Sequence, residues 1–326
     1  MPSASDWQIP PEFQPDPSTV SYDLGRALSS VVDLRANIPE DAFTAETLGM
    51  RREGQGVVIR ANGLVLTIGY LITEAREIWL TTHDGQTVPA HGLLYDYASG
   101  FGLVQALAPL NVPAMSLGNS QRAAIGESVV VGGAGGRPRS LKARIVARQE
   151  FAGYWEYLLE DAIFTAPAHP HWGGTALIGP TGDLLGIGSL QLQHQAAGGR
   201  IVPLNMMVPI DLLKPILDEF LTTGQVERPA RPWLGIYARE DEDDQVRLIG
   251  LASDGPARRA GLHAGDIVRA TAGEEVTSLA SFYRKMWSLG QAGVEVPLTL
   301  EREGDVFDVS ITSADRSRFL KTERPQ

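Results

Sequence analysis

Side chains able to do chemistry are sparse in this 326-residue chain, and they stand in weak patterns. His169 and His171 form a His-x-His pair, which on a strand would point both rings to one face and could seed a metal site. Two ligands do not make a site, so a polar loop is the stronger reading and no metal is assigned. Ser189 lies in Gly186-Ile187-Gly188-Ser189-Leu190, which is superficially like a nucleophile elbow but lacks the second flanking glycine of Gly-x-Ser-x-Gly. A strand and turn fits it better. The glycine run Gly132-Gly133-Ala134-Gly135-Gly136 could cradle phosphate only between a strand and a helix, and the following Arg137-Pro138-Arg139 argues against an immediate helix. It reads as a loop, and no cofactor is assigned. The acidic run Glu240-Asp241-Glu242-Asp243-Asp244 reads as a hydrated loop tip, because a linear run does not guarantee the convergent oxygens a cation needs.

The elements that would position these groups are mostly strands. Short apolar, β-branched runs recur at Val57 to Ile59, Leu64 to Thr67, Glu77 to Thr81, Leu103 to Ala106 and Val129 to Val131. Turn signals separate them, with Asn62-Gly63 and Asp84-Gly85 the strongest hairpin candidates. A second set follows from about Lys142 through Tyr157 to Leu159, Ile163 to Thr165, Ala176 to Ile178 and Leu184 to Ile187, with a turn at Pro180 to Asp183. Two six-stranded barrels fit this spacing. Asp211 to Leu221 predicts a helix, with Asp211 as N-cap, Pro215 near the first turn and Gly224 beyond the end. The first twenty or so residues, rich in Pro, Ser and acidic groups, predict an extended arm whose Trp7 and Phe13 are available for docking.

Three stretches carry the functional reading. Gly54 to Ile59 running to Thr67-Ile68-Gly69-Tyr70-Leu71-Ile72 resembles the Gly-x-Gly start and Thr-Asn-x-His-Val-Val finish of HtrA/DegP-type serine proteases. Asp96-Tyr97-Ala98-Ser99-Gly100-Phe101-Gly102-Leu103-Val104 resembles their Asp-x-x-Thr-Asp-Leu-Ala-Val-Leu. Pro170-His171-Trp172-Gly173-Gly174-Thr175-Ala176 resembles Gly-Asn-Ser-Gly-Gly-Pro-Leu. The resemblance places Tyr70 where that family has its general base, Gly100 where it has the orienting acid and Trp172 where it has the nucleophile. Pro170 falls where a glycine lends an N–H to the oxyanion hole, and proline has none. Such a triad needs an oxygen nucleophile, an imidazole and a carboxylate. A phenol with an ordinary pKa of about 10 is a poor base at neutral pH, and an indole N–H only donates. A one-residue slip restores nothing, since no His precedes His83 and no Ser lies between Ser140 and Ser189. The aromatic cluster Tyr154, Trp155 and Tyr157 has two readings: core packing or a subunit contact, or, for Tyr154 and Trp155 with Trp172, a filled substrate cleft.

The last part of the chain resembles a PDZ domain of the HtrA type. Arg231-Pro232-Trp233-Leu234-Gly235-Ile236 is similar to the family's carboxylate-binding loop, and Gly255-Pro256-Ala257 through Ala260-Gly261-Leu262 to Gly265-Asp266 follows its signature. Ser278 caps a helix that places Leu279, Phe282, Tyr283, Met286 and Trp287 on one face, with Gly290 as its stop. The resemblance implies a groove between this helix and the strand after Leu234. A peptide C-terminus would add there as a strand, held by backbone N–H groups of Trp233, Leu234, Gly235 and Ile236, with Phe282 and Met286 lining the groove.

Composition bounds the remaining possibilities. With 39 acidic and 28 basic residues and a formal charge of −11, attraction to nucleic acid or anionic lipid is disfavoured. There is no cysteine, which excludes disulfides, thiol nucleophiles and zinc–thiolate sites. No segment has the length of a membrane span. Met1 to Pro10 has no basic start or apolar run, so the expectation is a cytoplasmic protein, or a periplasmic one if a leader precedes it.

The reading is therefore a mainly β chain: an arm at 1–20, a trypsin-like double β-barrel at 21–224, a linker at 225–230, an α+β PDZ domain at 231–313 and a tail at 314–326. The expected function is that of an inactive HtrA-like pseudoprotease binding protein or peptide C-termini as adaptor, scaffold or regulator. The alternatives are an endopeptidase using Ser189 with His169 or His171, and a holdase-like chaperone. The resemblance also implies a homotrimer built through the barrel and arm.

Overall fold

The computed structural model describes residues 7–195, 199–223, 226 and 228–321. The chain divides into two compact units: one takes the chain up to Gln149 together with Asp161–Val226, and the other takes Glu150–Glu160 together with the chain from 228 to 321.

In the first unit, β1 (Val31–Asn37), β2 (Arg51–Arg60), β3 (Leu64–Ile68), β4 (Glu77–Thr81), β5 (Thr87–Tyr95) and β6 (Phe101–Ala106) close a barrel in the order β1-β2-β3-β6-β5-β4. Alternation sets the inward face. In β1, Val32, Leu34 and Ala36 are buried while Arg35 and Asn37 are exposed, the period of two that a half-buried strand requires. In β2 the run Gln55 to Ile59 is buried throughout. The hairpin turns lie where Asn62-Gly63 and Asp84-Gly85 predict them, with Gly63 at φ +82° and Gly85 at φ +89°.

A second barrel follows, from β7 (Ser128–Gly132), β8 (Leu141–Gly153), β9 (Tyr157–Ala166), β10 (Ala176–Ile178), β11 (Leu184–Gln195) and β12 (Ile201–Pro209), in the order β10-β11-β12-β9-β8-β7. Its core joins Val129, Val131, Leu141, Ile145, Ile163, Leu177 and Met207 with Ile9 of the N-terminal arm. The arm is thus partly a core element: the Ile9 N–H donates to the Pro138 carbonyl at 2.8 Å, and Trp7 packs against this cluster. Phe13, the other docking candidate, is exposed. Residues 1–6 lie outside the described residues.

Asp211 does not cap the helix after the barrel. A 3-10 turn, Ile210–Leu212, comes first, and the helix α1 covers Lys214–Thr223. The Asp211 carboxylate instead accepts from the Ser120 hydroxyl at 2.7 Å and the Gln121 N–H at 3.0 Å, pinning a neighbouring turn. Gly224, the predicted stop, lies outside the described residues, as do parts of the predicted linker and tail.

The second unit is built on β13 (Ile236–Glu240), β14 (Val246–Leu251), β15 (Ile267–Thr271), β16 (Glu274–Glu275), β17 (Glu295–Arg302) and β18 (Asp305–Thr312), ordered β13-β14-β15-β17-β18 with β16 beside β15. The strand β13 is an edge. The helix α2 (Leu279–Ser288) begins as predicted, with the Ser278 side chain accepting from the Ser281 N–H at 3.0 Å. Its Leu279, Phe282, Tyr283 and Met286 are buried. The acidic run forms the β13–β14 hairpin loop, in which Asp241 accepts from the Asp243 and Gln245 N–H groups at 3.0 Å and pairs with Arg247. Among the described residues, no helix is long and apolar enough to cross a membrane.

Candidate functional site

In the first unit, the structure brings together the positions the motifs single out. Tyr70 stands in the 3-10 turn Gly69–Leu71 directly after β3. That turn is seated by the Gly69 N–H, which donates to the Gly100 carbonyl at 2.7 Å. Gly100 has φ +86°, a left-handed conformation that disfavours any side chain. The Tyr70 hydroxyl donates to the Ser189 carbonyl at 3.0 Å. It also crowds the third motif, since a Cβ on Gly173 would stand 2.7 Å from that hydroxyl. Burial pushes the Tyr70 phenol well above its ordinary value, against a hydrogen bond from Trp172 that pulls it back. Even less of it is therefore ionised at neutral pH than of a free phenol.

The third motif is held by hydrogen bonds to its main-chain carbonyls. The Trp172 carbonyl accepts from the Thr175 N–H at 3.1 Å and from the Thr175 hydroxyl at 2.9 Å. Gln55 binds three ways across the two barrels: its N–H donates to the Gly173 carbonyl at 2.9 Å, its amide to the His171 carbonyl at 2.7 Å, and its Oε1 accepts from the Ala134 N–H at 2.8 Å. Ala134 belongs to the glycine-rich loop, and the Gly133 N–H there donates to the Ser140 hydroxyl at 3.1 Å. Those amides are engaged by the protein itself, as a structural loop requires.

His169 is buried, and burial lowers its pKa. Its Nε2 faces the Arg139 carbonyl at 2.8 Å, while Nδ1 lies 3.0 Å from the His171 carbonyl and 3.2 Å from the His171 N–H. Both nitrogens have backbone partners, so neither is turned to Ser189. His171 is exposed and packs on Trp7, ring centroids 4.3 Å apart. Tyr154 and Trp155 fall in the second unit and Trp172 in the first. The β8–β9 hairpin is long, and its far end, Glu150–Glu160, belongs to the second unit.

In the second unit, the loop after Trp233 holds a carboxylate. The Glu156 side chain accepts from the N–H groups of Leu234 at 3.0 Å, Gly235 at 2.7 Å and Ile236 at 2.9 Å. Gly235 has φ +74°, and consecutive amides around such a residue can converge on one anion. Burial pushes the Glu156 carboxyl up to about 7, opposed by these donors and by Arg316. Glu156 itself is left-handed at φ +59°. The Ala238 N–H of β13 donates to the Tyr154 carbonyl at 2.9 Å. The Tyr283 hydroxyl donates to the Gly153 carbonyl at 2.9 Å and accepts from the Glu156 N–H at 3.2 Å. Leu158 is buried in the same cluster as Leu234, Ile236, Phe282 and Met286.

Three of the four predicted loop amides therefore meet at one point. Trp233 differs: its N–H donates to the Ala314 carbonyl at 3.1 Å, and its indole packs on Phe319. Phe282 and Met286 are fully enclosed. From sequence, Glu156 has no role, Tyr154 falls in an aromatic cluster and Tyr283 only on the face of the capped helix. The dense aromatic turn at Tyr154 to Tyr157 was the one visible signal, and no spacing rule joins it to Leu234.

Comparison with known proteins bears on both units. A trypsin-like peptidase domain profile matches residues 54–187, and a PDZ domain profile matches residues 232–312. The chain is similar to a Haemophilus influenzae protein named "Probable periplasmic serine protease do/HhoA-like", 29% identical over 351 residues, covering 96% of this chain and 73% of that protein. The chain carries a trypsin-like peptidase domain followed by a PDZ domain and is similar to HtrA-like proteins. Two further relatives, each named "Probable periplasmic serine endoprotease DegP-like", come from Chlamydia muridarum and Halomonas elongata. They are 25% and 26% identical, covering 79% and 81% of this chain, which spans 53% and 57% of their lengths. Among solved structures, an HtrA-type protease AlgW with a tripeptide aligns with TM-score 0.52 at 20% identity, covering 89% of this chain and 95% of that one. A serine endoprotease from Yersinia pestis aligns with TM-score 0.51 at 21% identity, covering 91% and 99%. At that identity the structural likeness shows the fold.

These HtrA-like relatives correct the expectation of a cytoplasmic protein, because they are named as periplasmic. That expectation came from Met1 to Pro10 alone. A cysteine-free double barrel carries no redox signature of either compartment, so the folded body offered nothing to set against it.

Proposed function

We propose that this HtrA-like chain is catalytically inactive and binds protein or peptide C-termini through its PDZ domain, as an adaptor, scaffold or regulator. The observation that carries the inactive half is the Tyr70 hydroxyl engaged with the Ser189 carbonyl at 3.0 Å, beside a glycine and a tryptophan at the other two triad positions. An imidazole there would accept a proton near neutral pH; a buried phenol does not. Pro170 offers no N–H to a developing oxyanion, and loss of one such donor alone costs roughly 3 to 4 kcal/mol of transition-state stabilisation. The relatives are named as serine proteases, and that name travels with the fold rather than with these residues.

The binding half is supported by the convergent amides of Leu234, Gly235 and Ile236, whose geometry suits a carboxylate, and by the edge strand beside them. Solved relatives described as carrying a tripeptide and a decapeptide agree in kind.

A fluorophosphonate probe tests the first half directly. Purified protein should remain unlabelled and leave unfolded casein intact. Labelling that disappears on Ser189→Ala would establish the displaced-residue endopeptidase instead.

A further inference from the structure

The carboxylate loop of this chain already holds a carboxylate, and it is the chain's own. Three features of a bound peptide C-terminus are reproduced at once by residues 153–158. The Glu156 carboxylate receives the three loop amides of Leu234, Gly235 and Ile236. Two residues earlier, the Tyr154 carbonyl receives the Ala238 N–H of β13 at 2.9 Å, so the hairpin turn Tyr154 to Glu156 takes one of the main-chain bonds of the edge strand that an added strand would use. Leu158 supplies an aliphatic side chain to the apolar cluster that contains Leu234, Ile236, Phe282 and Met286. The Tyr283 hydroxyl holds the segment at two points, the Gly153 carbonyl and the Glu156 N–H.

We infer that Gly153 to Leu158 is an internal ligand of the PDZ groove, and that a peptide with a free C-terminal carboxylate and an aliphatic last side chain enters only by displacing it. The inference rests on the reading of this groove as a seat for C-termini. A tethered ligand competes at high effective concentration, so incoming peptides face an apparent affinity reduced by the fraction of time the groove stands open. A groove open one-tenth of the time or less raises the apparent dissociation constant about tenfold or more. The preferred last residue follows from the leucine it replaces, and the carboxylate requirement follows from the amides Glu156 vacates.

The test uses the full chain as wild type, Glu156→Ala and Tyr283→Phe. The probes are a decapeptide library with randomised free C-termini and the same library amidated. Backbone hydrogen exchange at Leu234, Gly235 and Ile236 is followed in parallel. The expected result is protected amides in wild type, faster exchange in both variants, and at least tenfold tighter capture of carboxylate peptides ending in aliphatic residues by Glu156→Ala. Tyr283→Phe, which keeps the ring in the core, should gain less. Equal exchange in wild type and Glu156→Ala overturns the inference, as does equal affinity for carboxylate peptides, and either result leaves the C-terminus reading standing. Amides exposed in Glu156→Ala with no peptide captured by any of the three proteins overturns that reading as well as the displacement.

Discussion

The Tyr70 hydroxyl is bonded to the main chain of Ser189, at 3.0 Å, in the position where the family resemblance places a general base. The side chain is thereby a strut between the first barrel and β11. Tyr70→Phe should remove one buried hydrogen bond and leave the Ser189 carbonyl without that partner, lowering stability by about 1 to 2 kcal/mol. Urea unfolding monitored by tryptophan fluorescence would check this, and an unchanged midpoint would contradict the strut.

On the proposed reading of Tyr70, Gly100 and Trp172 as lost triad positions, restoring them should not by itself rebuild a protease. In the combined variant Tyr70→His, Gly100→Asp, Trp172→Ser, Pro170 still withholds an oxyanion donor, and adding Pro170→Gly should raise fluorophosphonate labelling by roughly 100-fold or more. The aspartate carries its own cost. Gly100 sits at φ +86°, and a side chain forced there should cost on the order of 1 kcal/mol or more in stability.

Acidity should strengthen the hold on Glu156. Its carboxyl is pushed up to about 7 when docked, above the ordinary value of 4.5, so the docked state keeps its proton to higher pH than a released hairpin does. Docking is thus favoured most below about 4.5, weakens as pH rises from 4.5 to 7, and changes little beyond. Of the groups that face it, Tyr283 stays neutral because burial and the Glu156 charge raise its pKa, and Arg316 favours the charged carboxylate. Exchange at Leu234 to Ile236, corrected for intrinsic rate, should rise between pH 5 and pH 7 in wild type and stay flat in Glu156→Gln.

Gly174→Ala should be among the most damaging small substitutions in the first unit. Gly174 has φ +80°, and an added Cβ would stand 1.8 Å from the Gln55 carbonyl. Backbone would have to move, so the expected loss is about 3 kcal/mol or more. A soluble variant with a wild-type urea midpoint would refute the close approach.

Arg52→Leu should be comparably severe. Arg52 is only 4% exposed, and its guanidinium donates to the carbonyls of Tyr70 at 2.7 Å, Thr73 at 2.9 Å and Thr44 at 3.2 Å. Leucine leaves those acceptors buried without a donor, for a loss of about 3 kcal/mol. Arg52→Lys should recover only part of it, because a single ammonium cannot span the same fork.

What could be read from residues alone followed the range of the interactions. Asn62-Gly63, Asp84-Gly85 and Ser278 act within a few residues of themselves, and they form the turns and cap their chemistry predicts. Tyr70, Gly100 and Trp172 were placed through short motifs anchored on glycines, and the barrels bring those motifs together. Asp211 was misassigned because a carboxylate before a helix serves equally well in capping a distant turn, and Ser120 is 91 residues away. Glu156 was invisible for the same reason: a glutamate in a turn is ordinarily solvated, and its partners lie 78 to 80 residues on. The expectation of a cytoplasmic chain rests on Met1 to Pro10 alone, and relatives named as periplasmic overturn it.

The division of the β8–β9 hairpin has a practical corollary. A fragment cut to begin near Arg231 would leave Glu150–Glu160 behind, losing Leu158 from its apolar cluster and Glu156 from its loop. Such an excised domain would be less robust and more receptive than its parent, and binding constants measured on it would describe a vacant receptor that the intact polypeptide seldom presents.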